Sequence, residues 1–389
     1  MSELQLRYQT LANYNASESE IQELLTYNQN VFQHNFLQSS FFFPLQPEPH
    51  IADWEQYIAE ADRLGAYPIL KSRLVQLQFP VVTGISETDD YRTATRKGTD
   101  PETLKLATGL ILTQPEKLQL KIHNTLAGPI PIIITGNRED FVLLIQSLAK
   151  RNEPITIPDS MGACIIGGYN NWDRIRAYRK QWGIKNPEHC SEADWNIEFK
   201  RLIPQKELYQ DRFIVLSPGF YSNISAKQLG LTDNEWQQLS LTIRLEHECT
   251  HYFTRRVFGS MRNNLLDELI ADYRGIVAAT GQYRSDWFLH FIGLESFPDY
   301  RQGGRLENYR GDPPLSEGAF KILQALVKTA SENLESFDQK YVKQTRTFMD
   351  NISILIALTT LTLEELASSS ASSLLEEVVS LQQQRLKID

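Results

Sequence analysis

The stretch Arg244-Leu-Glu-His-Glu-Cys-Thr-His-Tyr-Phe253 places two histidines and a glutamate at a helical spacing. His247 and His251 stand four positions apart, so on a helix both imidazoles project from one face, with Cβ atoms roughly 5–6 Å apart. Glu248 follows His247 by about 100° of rotation around the helix axis. This is the H-E-x-x-H pattern, in which both imidazoles can bind one zinc ion while the carboxylate stands beside the metal.

A zinc site that performs hydrolysis needs a third protein ligand and an open fourth position. One known arrangement has a glycine three residues after the second histidine and then a third histidine. This chain has Thr254 and Val257 there, so that arrangement is absent. Another arrangement has a second helix with a glutamate and, four residues later, an aspartate. The segment Asp267-Glu-Leu-Ile-Ala-Asp-Tyr-Arg-Gly275 supplies both, as Glu268 and Asp272.

Together the two segments resemble the zinc site of gluzincin metallopeptidases, a branch of the zincins. The resemblance covers residues 233–280. It implies that His247, His251 and Glu268 bind zinc. It also implies that Asp272 accepts a hydrogen bond from one of the ligating histidines.

The resemblance further implies a reaction. In such sites a zinc-bound water attacks the peptide carbonyl, and Glu248 acts as the general base that takes the proton and delivers it to the leaving amine. Gly275 is expected to let the two helices pack closely. The spacing of Glu268 and Ala271 is also similar to that of regulatory metallopeptidases that cleave repressors, so the narrower family stays open. Arg244 departs from the Val or Thr that commonly stands three positions before the first histidine.

Capping signals predict where the two helices begin and end. The boundary residues are Thr232 or Asp233 with Glu235 and the closing Gly259 for the first helix, and Asn263 or Asn264 and the closing Gly281 for the second. With only about five residues between them, the helices should run antiparallel and side by side. Glu268 would then face the histidine pair.

Each site residue also has an alternative role. Asp267 is a rival third ligand, but Glu268 is favoured because it has an aspartate four residues later. Asp272 could be an exposed acid, and both histidines could be core residues of a helix that binds no metal. A donor for the tetrahedral intermediate is also expected, and the sequence leaves it open. The candidates after the zinc helices are Tyr283, His290, Tyr300, Tyr309 and Arg310.

Composition limits the class of protein. The chain has 389 residues, of which 41% are hydrophobic, and a net charge of −9. These values are typical of a globular protein and disfavour nucleic acid as a partner. The basic stretch Asp173–Trp182 is interpreted as a solvated helix face, and His189-Cys190 as part of a polar loop.

Cysteine content and hydropathy favour a cytoplasmic protein. Cys164, Cys190 and Cys249 are too few, and odd in number, for a disulfide framework. The first residues lack a secretion signal, and the longest uncharged apolar run, Asn351–Leu363, is too short to span a bilayer. We therefore expect no membrane association.

The predicted fold class is α+β. Residues 1–95 are expected to form a largely helical accessory region. Residues 96–296 are expected to form a zincin-like catalytic domain, with a mixed sheet, the H-E-x-x-H helix and the glutamate-bearing helix. Residues 297–389 are expected to form a helical subdomain. Ser86–Pro101 is predicted to be a linker or mobile loop, and Phe213–Ser217 is a candidate edge strand for an extended substrate.

Hydrophobic periodicity predicts further elements. The predicted helices are Ser17–Leu37, Ile51–Leu64, Glu139–Lys150, Ala319–Leu334, Phe337–Leu363 and Ser373–Lys387, and the predicted strands are Leu118–Ile122, Ile130–Thr135, Ala163–Ile166 and Phe213–Leu216.

The sequence thus predicts a zinc-dependent metallopeptidase, a hydrolase that uses Zn²⁺ and acts on a protein or peptide. Two alternatives stay open. One is a zincin-fold regulator or sensor, or a metal hydrolase that acts on another substrate. The other is a helical interaction protein without metal. The sequence leaves open the cleavage specificity, the choice between endo- and exopeptidase activity, and the oligomeric state.

Overall fold

A computed structural model describes residues 2–34, 42–189, 191–260, 264–341 and 346–386. The chain forms two compact units. Unit 1 comprises Met1–Leu45 and Phe220–Asp389, and unit 2 comprises Gln46–Gly219. This division differs from the predicted regions 1–95, 96–296 and 297–389, because the chain leaves unit 1 after its first helices and returns to it before the H-E-x-x-H helix.

Unit 2 contains the β-sheet. Its helices are α3 (Ile51–Leu64), α4 (Ala66–Arg73), α5 (Asp89–Lys97), α6 (Arg138–Ala149), α7 (Trp172–Lys185) and α8 (Glu192–Leu202), and its strands are β1 (Gln119–Thr125), β2 (Gly128–Ile134), β3 (Ala163–Asn170) and β4 (Gln210–Leu216). The core of this unit joins α3, α6 and β4 through Trp54, Phe141 and Phe213, all of which are buried.

The sheet has four strands in the order β1-β2-β4-β3 and is mixed. β1 and β2 form an antiparallel hairpin, β2 and β4 are parallel, and β3 and β4 are antiparallel. The mixed α+β class is therefore confirmed. The prediction that Phe213–Ser217 is an edge strand was wrong, because β4 lies inside the sheet between β2 and β3. Its consecutive buried residues, Phe213 to Leu216, are typical of a strand covered on both faces.

The predicted linker Ser86–Pro101 is largely helical. Thr88 caps the N-terminus of α5 by accepting from the Tyr91 N–H, and Gly98 closes the helix in the left-handed region. Tyr91 and Ala94 are buried, which anchors this polar segment to the unit. The helix was not predicted from the sequence because only these two apolar residues mark its buried side.

The basic stretch Asp173–Trp182 lies in α7. Arg176 and Lys180 are exposed, as expected of a solvated face. Arg174 is buried, and its guanidinium lies 2.8 Å from carboxylate oxygens of both Asp53 and Asp211. The prediction was therefore wrong for Arg174, which stabilises the unit through ion pairs. The Cys190 of the predicted polar loop lies outside the described residues.

Unit 1 is helical in its described part. Its helices are α1 (Glu3–Asn13), α2 (Glu18–Tyr27), α9 (Asp233–Phe258), α10 (Leu265–Thr280), α11 (Ser285–Ile292), α12 (Glu317–Tyr341), α13 (Phe348–Thr360), α14 (Leu363–Ala367) and α15 (Ala371–Arg385). The predicted helix Phe337–Leu363 was wrong, because α12 continues to Tyr341 and a separate helix begins at Phe348. The helix predicted over Ser17–Leu37 ends at Tyr27. No described helix is long and apolar enough to cross a membrane.

The helix pair predicted around the motif begins and ends where its capping residues indicate. Thr232 and Glu235 form a capping box at the start of α9, and Gly259 closes that helix. Asn264 caps α10 by accepting from the Asp267 N–H, and Gly281 closes it. Side-chain oxygens thus satisfy backbone N–H groups that the first turn of each helix leaves without partners.

The two helices approach each other closely at Gly275, as the sequence predicted. A Cβ atom placed on Gly275 would lie 2.8 Å from the backbone oxygen of Ile243 on α9. Real Cβ atoms do not approach a backbone oxygen so closely, and a backbone atom cannot move aside as a flexible side chain can. The glycine therefore fixes how near Glu268 and Asp272 on α10 can come to α9.

We expect the substitution Gly275→Ala to destabilise unit 1, because the added methyl group must push the helices apart. The free energy of unfolding, measured by urea denaturation, should fall by roughly 1–3 kcal/mol. Gly167→Ala is the control, since its Cβ would only touch Arg212 Nε at an ordinary distance of 3.7 Å. Equal effects of the two substitutions would contradict this account of the helix crossing.

Candidate metal centre

Three donor side chains from α9 and α10 meet in the interior of unit 1. His247 and His251 project from α9, and Glu268 projects from α10. Their donor atoms all lie within 4.8 Å of one another, and all three residues are buried. The three predicted ligands therefore come together, and this group could hold a metal ion.

The spacing of the donor atoms fits a small tetrahedral ion. The two Nε2 atoms of His247 and His251 lie 3.1 Å apart. The Glu268 carboxylate oxygens lie 3.6 Å from the Nε2 atom of His247 and 3.5 Å from that of His251. A tetrahedral zinc ion with bonds of about 2.0–2.1 Å has ligand atoms about 3.3–3.4 Å apart. Each of these distances is within a few tenths of an ångström of that value, but Glu268 contacts His247 through Oε2 and His251 through Oε1, so they do not describe one triangle of three donor atoms. With one ligand atom from each residue, the three donors lie within 4.8 Å of one another.

Buried carboxylates orient the two imidazoles. His247 Nδ1 lies 2.8 Å from Asp272 Oδ1, and His251 Nδ1 lies 3.1 Å from Asp267 Oδ2. A carboxylate only accepts hydrogen bonds, so the hydrogen bond of Asp272 favours the His247 tautomer with the proton on Nδ1. Asp267 and His251 Nδ1 do not have hydrogen-bond geometry, but the negative charge of Asp267 at 3.1 Å favours the same tautomer of His251. Both Nε2 lone pairs then point at the space between the helices, where a metal would accept them.

Asp267 and Asp272 each lie beside the Nδ1 atom of one histidine, but only Asp272 makes a hydrogen bond there. The hydrogen bond that the resemblance implied for Asp272 is present. Asp267 is not one of the three grouped donors, and instead it lies beside the second histidine. Both aspartates are 0% exposed. The alternative that Asp272 is an exposed surface acid is therefore wrong.

A tyrosine and an arginine close one side of the site. The Tyr221 hydroxyl donates to Asp272 Oδ1 at 2.5 Å and lies 3.0 Å from His247 Nδ1. Arg305 Nη1 donates to the Tyr221 hydroxyl at 2.9 Å, and its Nη2 forms an ion pair with Asp272. Arg305 Nη2 also lies 3.8 Å from Glu268 Oε2. These contacts fix Asp272, and through it the ring of His247.

Arg244, the residue that departs from the usual pattern, supports this wall. Its guanidinium donates to the backbone oxygen of Phe220 and lies 5.8 Å from the centre of the Tyr221 ring. A Val or Thr at this position would make neither contact. Arg244 therefore holds the segment that carries Tyr221 against α9.

Tyr309 reaches the site from the loop before α12. Burial and the negative charge of the nearby Glu268 carboxylate raise the pKa of its hydroxyl. The Tyr27 hydroxyl donates to the Tyr309 backbone oxygen at 2.5 Å. Tyr309 is thus the one oxyanion candidate from the sequence with a contact to a donor residue in the described part of the chain.

The other candidates have contacts elsewhere. Tyr283 bonds to Ser331, His290 to the backbone of Asp286, Tyr300 to the backbone of Gly304, and Arg310 pairs with Glu307 and Glu317. Sequence reasoning missed Tyr221 and Arg305. The departure at Arg244 was the one local sign that this helix contacts an unusual neighbour.

The buried charges of the site do not cancel on their own. Asp267, Glu268 and Asp272 are formally negative, and among the described residues Arg305 pairs with Glu268 and Asp272. Burial alone would raise the pKa of Glu268, but His251, His247 and Arg305 hold it well below its usual value. The pKa of Asp272 is also lowered, because Arg305 and His247 outweigh its burial. Histidines that bind a metal are neutral, so in that state Asp267, Glu268, Asp272 and Arg305 together have two excess negative charges, which a divalent cation would neutralise.

Glu248 and Cys249 follow His247 directly on α9. Glu248 is half-buried beside His247, at the position of the general base in the motif. Cys249 is buried, and burial raises the pKa of its thiol well above the usual value. The thiol is not one of the grouped donors.

We expect Asp267→Asn and Asp272→Asn to weaken metal binding, because an amide does not fix the tautomer of its histidine as a carboxylate does. Zinc affinity, measured by competition with a chromogenic chelator, should fall roughly 10- to 100-fold for each variant. Asp233→Asn, an exposed substitution on α9, should leave it unchanged. Wild-type affinity in both variants would show that these pairs do not orient the histidines.

Comparisons with known proteins identify a family but not a function. No curated protein and no solved structure matches the chain significantly. One family model matches residues 9–370, which include the whole candidate metal centre. The chain therefore belongs to DUF7005, a family of unknown function.

Proposed function

We propose that this protein is a zinc-dependent metallopeptidase. The observation that carries the proposal is the convergence of His247, His251 and Glu268 at distances that suit a tetrahedral ion, within an H-E-x-x-H helix. We also propose that α9 and α10 correspond to the two zinc-binding helices of zincin peptidases. The ligand set of two imidazoles and one carboxylate is that of hydrolytic zinc sites, which keep a fourth position open.

The ligand chemistry favours zinc over a harder cation. Magnesium and calcium prefer six or more oxygen ligands, whereas two of the three donors are imidazole nitrogens. Zinc bound there supplies a Lewis acid that polarises a carbonyl and makes water more acidic. The buried excess of negative charge would retain a dication in the site.

Each neighbouring residue has a role in the proposed reaction. The Glu248 carboxylate accepts a proton from the attacking water and later delivers it to the leaving amine. Asp272 and Asp267 keep the proton of each imidazole on Nδ1. The Tyr309 hydroxyl, which its raised pKa keeps protonated, donates to the oxygen that becomes negative in the tetrahedral intermediate. To make this donation, the Tyr309 hydroxyl would have to move away from the Glu268 carboxylate.

A metal-free alternative rests on a specific contact. The Nε2 atoms of His247 and His251 lie at hydrogen-bond distance, so one protonated imidazole could donate to the other. Burial works against a charge on His251, but Asp267 and Glu268 outweigh it and raise the pKa well above its usual value. Full neutralisation would, however, require both imidazoles to be charged while their Nε2 atoms face each other. A dication balances the same carboxylates without that repulsion.

We expect Glu248→Gln to abolish peptide hydrolysis while zinc stays bound, because the amide cannot accept the proton. The rate constant kcat on a fluorogenic peptide pool should fall by about 10²–10⁴-fold. Glu246→Gln is the control, since this nearby glutamate pairs with Arg274 at 3.1 Å. Hydrolysis at the wild-type rate by Glu248→Gln would show that Glu248 is not the general base. Zinc binding without hydrolysis in the wild type would favour a regulator, a sensor or another hydrolase.

Removal of the metal should destabilise unit 1, because the buried carboxylates lose their counter-charge. With a strong chelator at neutral pH, the midpoint of thermal unfolding should fall by roughly 5–15 °C, and added zinc should restore it. Glu268→Gln, which lacks one ligand, should respond much less. A wild-type midpoint that does not respond to chelator would favour the metal-free helical protein.

A further inference from the structure

A cavity lies next to the candidate metal centre, within unit 1. Its volume is about 720 Å³, within the range of sites that bind small ligands or a peptide segment. Two parts of the chain form most of its wall: α2 with the residues just after it, and the loop that precedes α12. Its lining includes Glu23, Tyr27, Asn264, Tyr309 and Asp312.

The cavity and the metal centre share a wall. Tyr309 lines the cavity, and it lies near enough to Glu268 for that carboxylate to affect its hydroxyl. Asn264 also lines the cavity, and its backbone oxygen accepts from the Glu268 N–H at 3.1 Å. A molecule bound against Tyr309 and Asn264 would therefore lie close to the start of α10, which carries Glu268 one turn further on. This position suits a substrate group that flanks the reacting bond.

The charge of the cavity wall favours a cation. Glu23 and Asp312 contribute carboxylates, and no Lys, Arg or His is among the described lining residues. Arg310, next to the lining Tyr309, forms ion pairs with Glu307 and Glu317. A positively charged group entering the cavity would thus find acceptors there and no competing cation among the described lining residues.

The wall is also held in place before anything binds. The Glu23 carboxylate accepts from the Ser316 N–H at 2.6 Å and from its hydroxyl at 2.7 Å, which ties α2 to the start of α12. The Tyr27 hydroxyl holds the Tyr309 backbone. Tyrosine rings additionally attract a cation that stacks on their faces. A fixed wall with acidic and aromatic groups is suited to a guanidinium or an ammonium group.

We propose that this cavity is the subsite for an arginine or lysine side chain of the peptide substrate, adjacent to the bond that is hydrolysed. This inference rests on the proposed peptidase function. Glu23 and Asp312 pair with the cationic end of the side chain, and Tyr27 and Tyr309 pack along its length.

The test compares arginine with citrulline, its uncharged isostere. Short fluorogenic peptide pools are randomised except for one fixed position, which carries arginine or citrulline and is moved along the peptide. At one of these positions, wild-type protein with zinc should show a kcat/KM roughly tenfold higher for arginine than for citrulline, as expected for hydrogen bonds to a charged group. Lysine should rank between arginine and citrulline.

Variants link this preference to the cavity. Asp312→Asn, and Glu23→Gln combined with it, should abolish most of the arginine preference while hydrolysis of citrulline peptides is retained. Asp299→Asn is the matched control, an exposed substitution in the same region that is not among the lining residues. A preference that survives the double substitution would overturn the assignment of the cavity.

Binding to the zinc-loaded Glu248→Gln variant separates this inference from the proposed function. Fluorescence anisotropy with labelled arginine and citrulline pools should show the same preference without turnover, and Asp312→Asn should remove it. Arginine-selective binding with no hydrolysis by the wild type would contradict the peptidase function but support the subsite. Hydrolysis with equal rates for arginine and citrulline would support the function and overturn the subsite.

Discussion

The contact between the Glu268 carboxylate and the two imidazoles of α9 is the interaction on which this account depends. It gathers one donor atom from each of three residues within 4.8 Å of one another in the interior of a helical unit. Among the described residues, Glu268 and Asp272 share Arg305 as their arginine partner, and burial of these two carboxylates together with Asp267 is unfavourable unless positive charge is added. A divalent cation meets the geometric and the electrostatic requirement at once.

The surrounding structure serves to keep those donors together. Gly275 permits the close approach of α10 to α9, and capping residues fix where both helices begin. Arg244 and Arg305 hold Tyr221 against Asp272, so three segments distant in sequence determine the orientation of one histidine. Rigid support of this kind is what a catalytic metal site needs, since small displacements of ligands cost affinity and rate.

The parts that could be predicted from the sequence are those governed by local rules. The limits of α9 and α10 follow from Thr232, Glu235, Asn264 and two terminal glycines, because caps act within one turn. The spacing of Glu268 relative to the aspartate four residues later identified the third donor. The linker over residues 86–101 was misjudged because few apolar residues mark the helix there.

Features that depend on tertiary packing could not be predicted from the sequence. Tyr221 and Arg305 lie far from the motif along the chain, and no spacing rule links them to it. The pairing of Asp267 with His251, and the division in which residues 1–45 join the C-terminal part, likewise follow from long-range contacts. Arg244 gave the one local sign of the contact with Tyr221, because an arginine is unusual at a position that Val or Thr commonly occupies.

The most direct measurement is the zinc K-edge X-ray absorption spectrum of the purified, zinc-loaded protein. The account predicts two imidazole nitrogens and carboxylate oxygen at about 2.0–2.1 Å, with one further light atom. A spectrum with sulfur at about 2.3 Å, or with only the oxygen shell of loosely bound zinc, would contradict it.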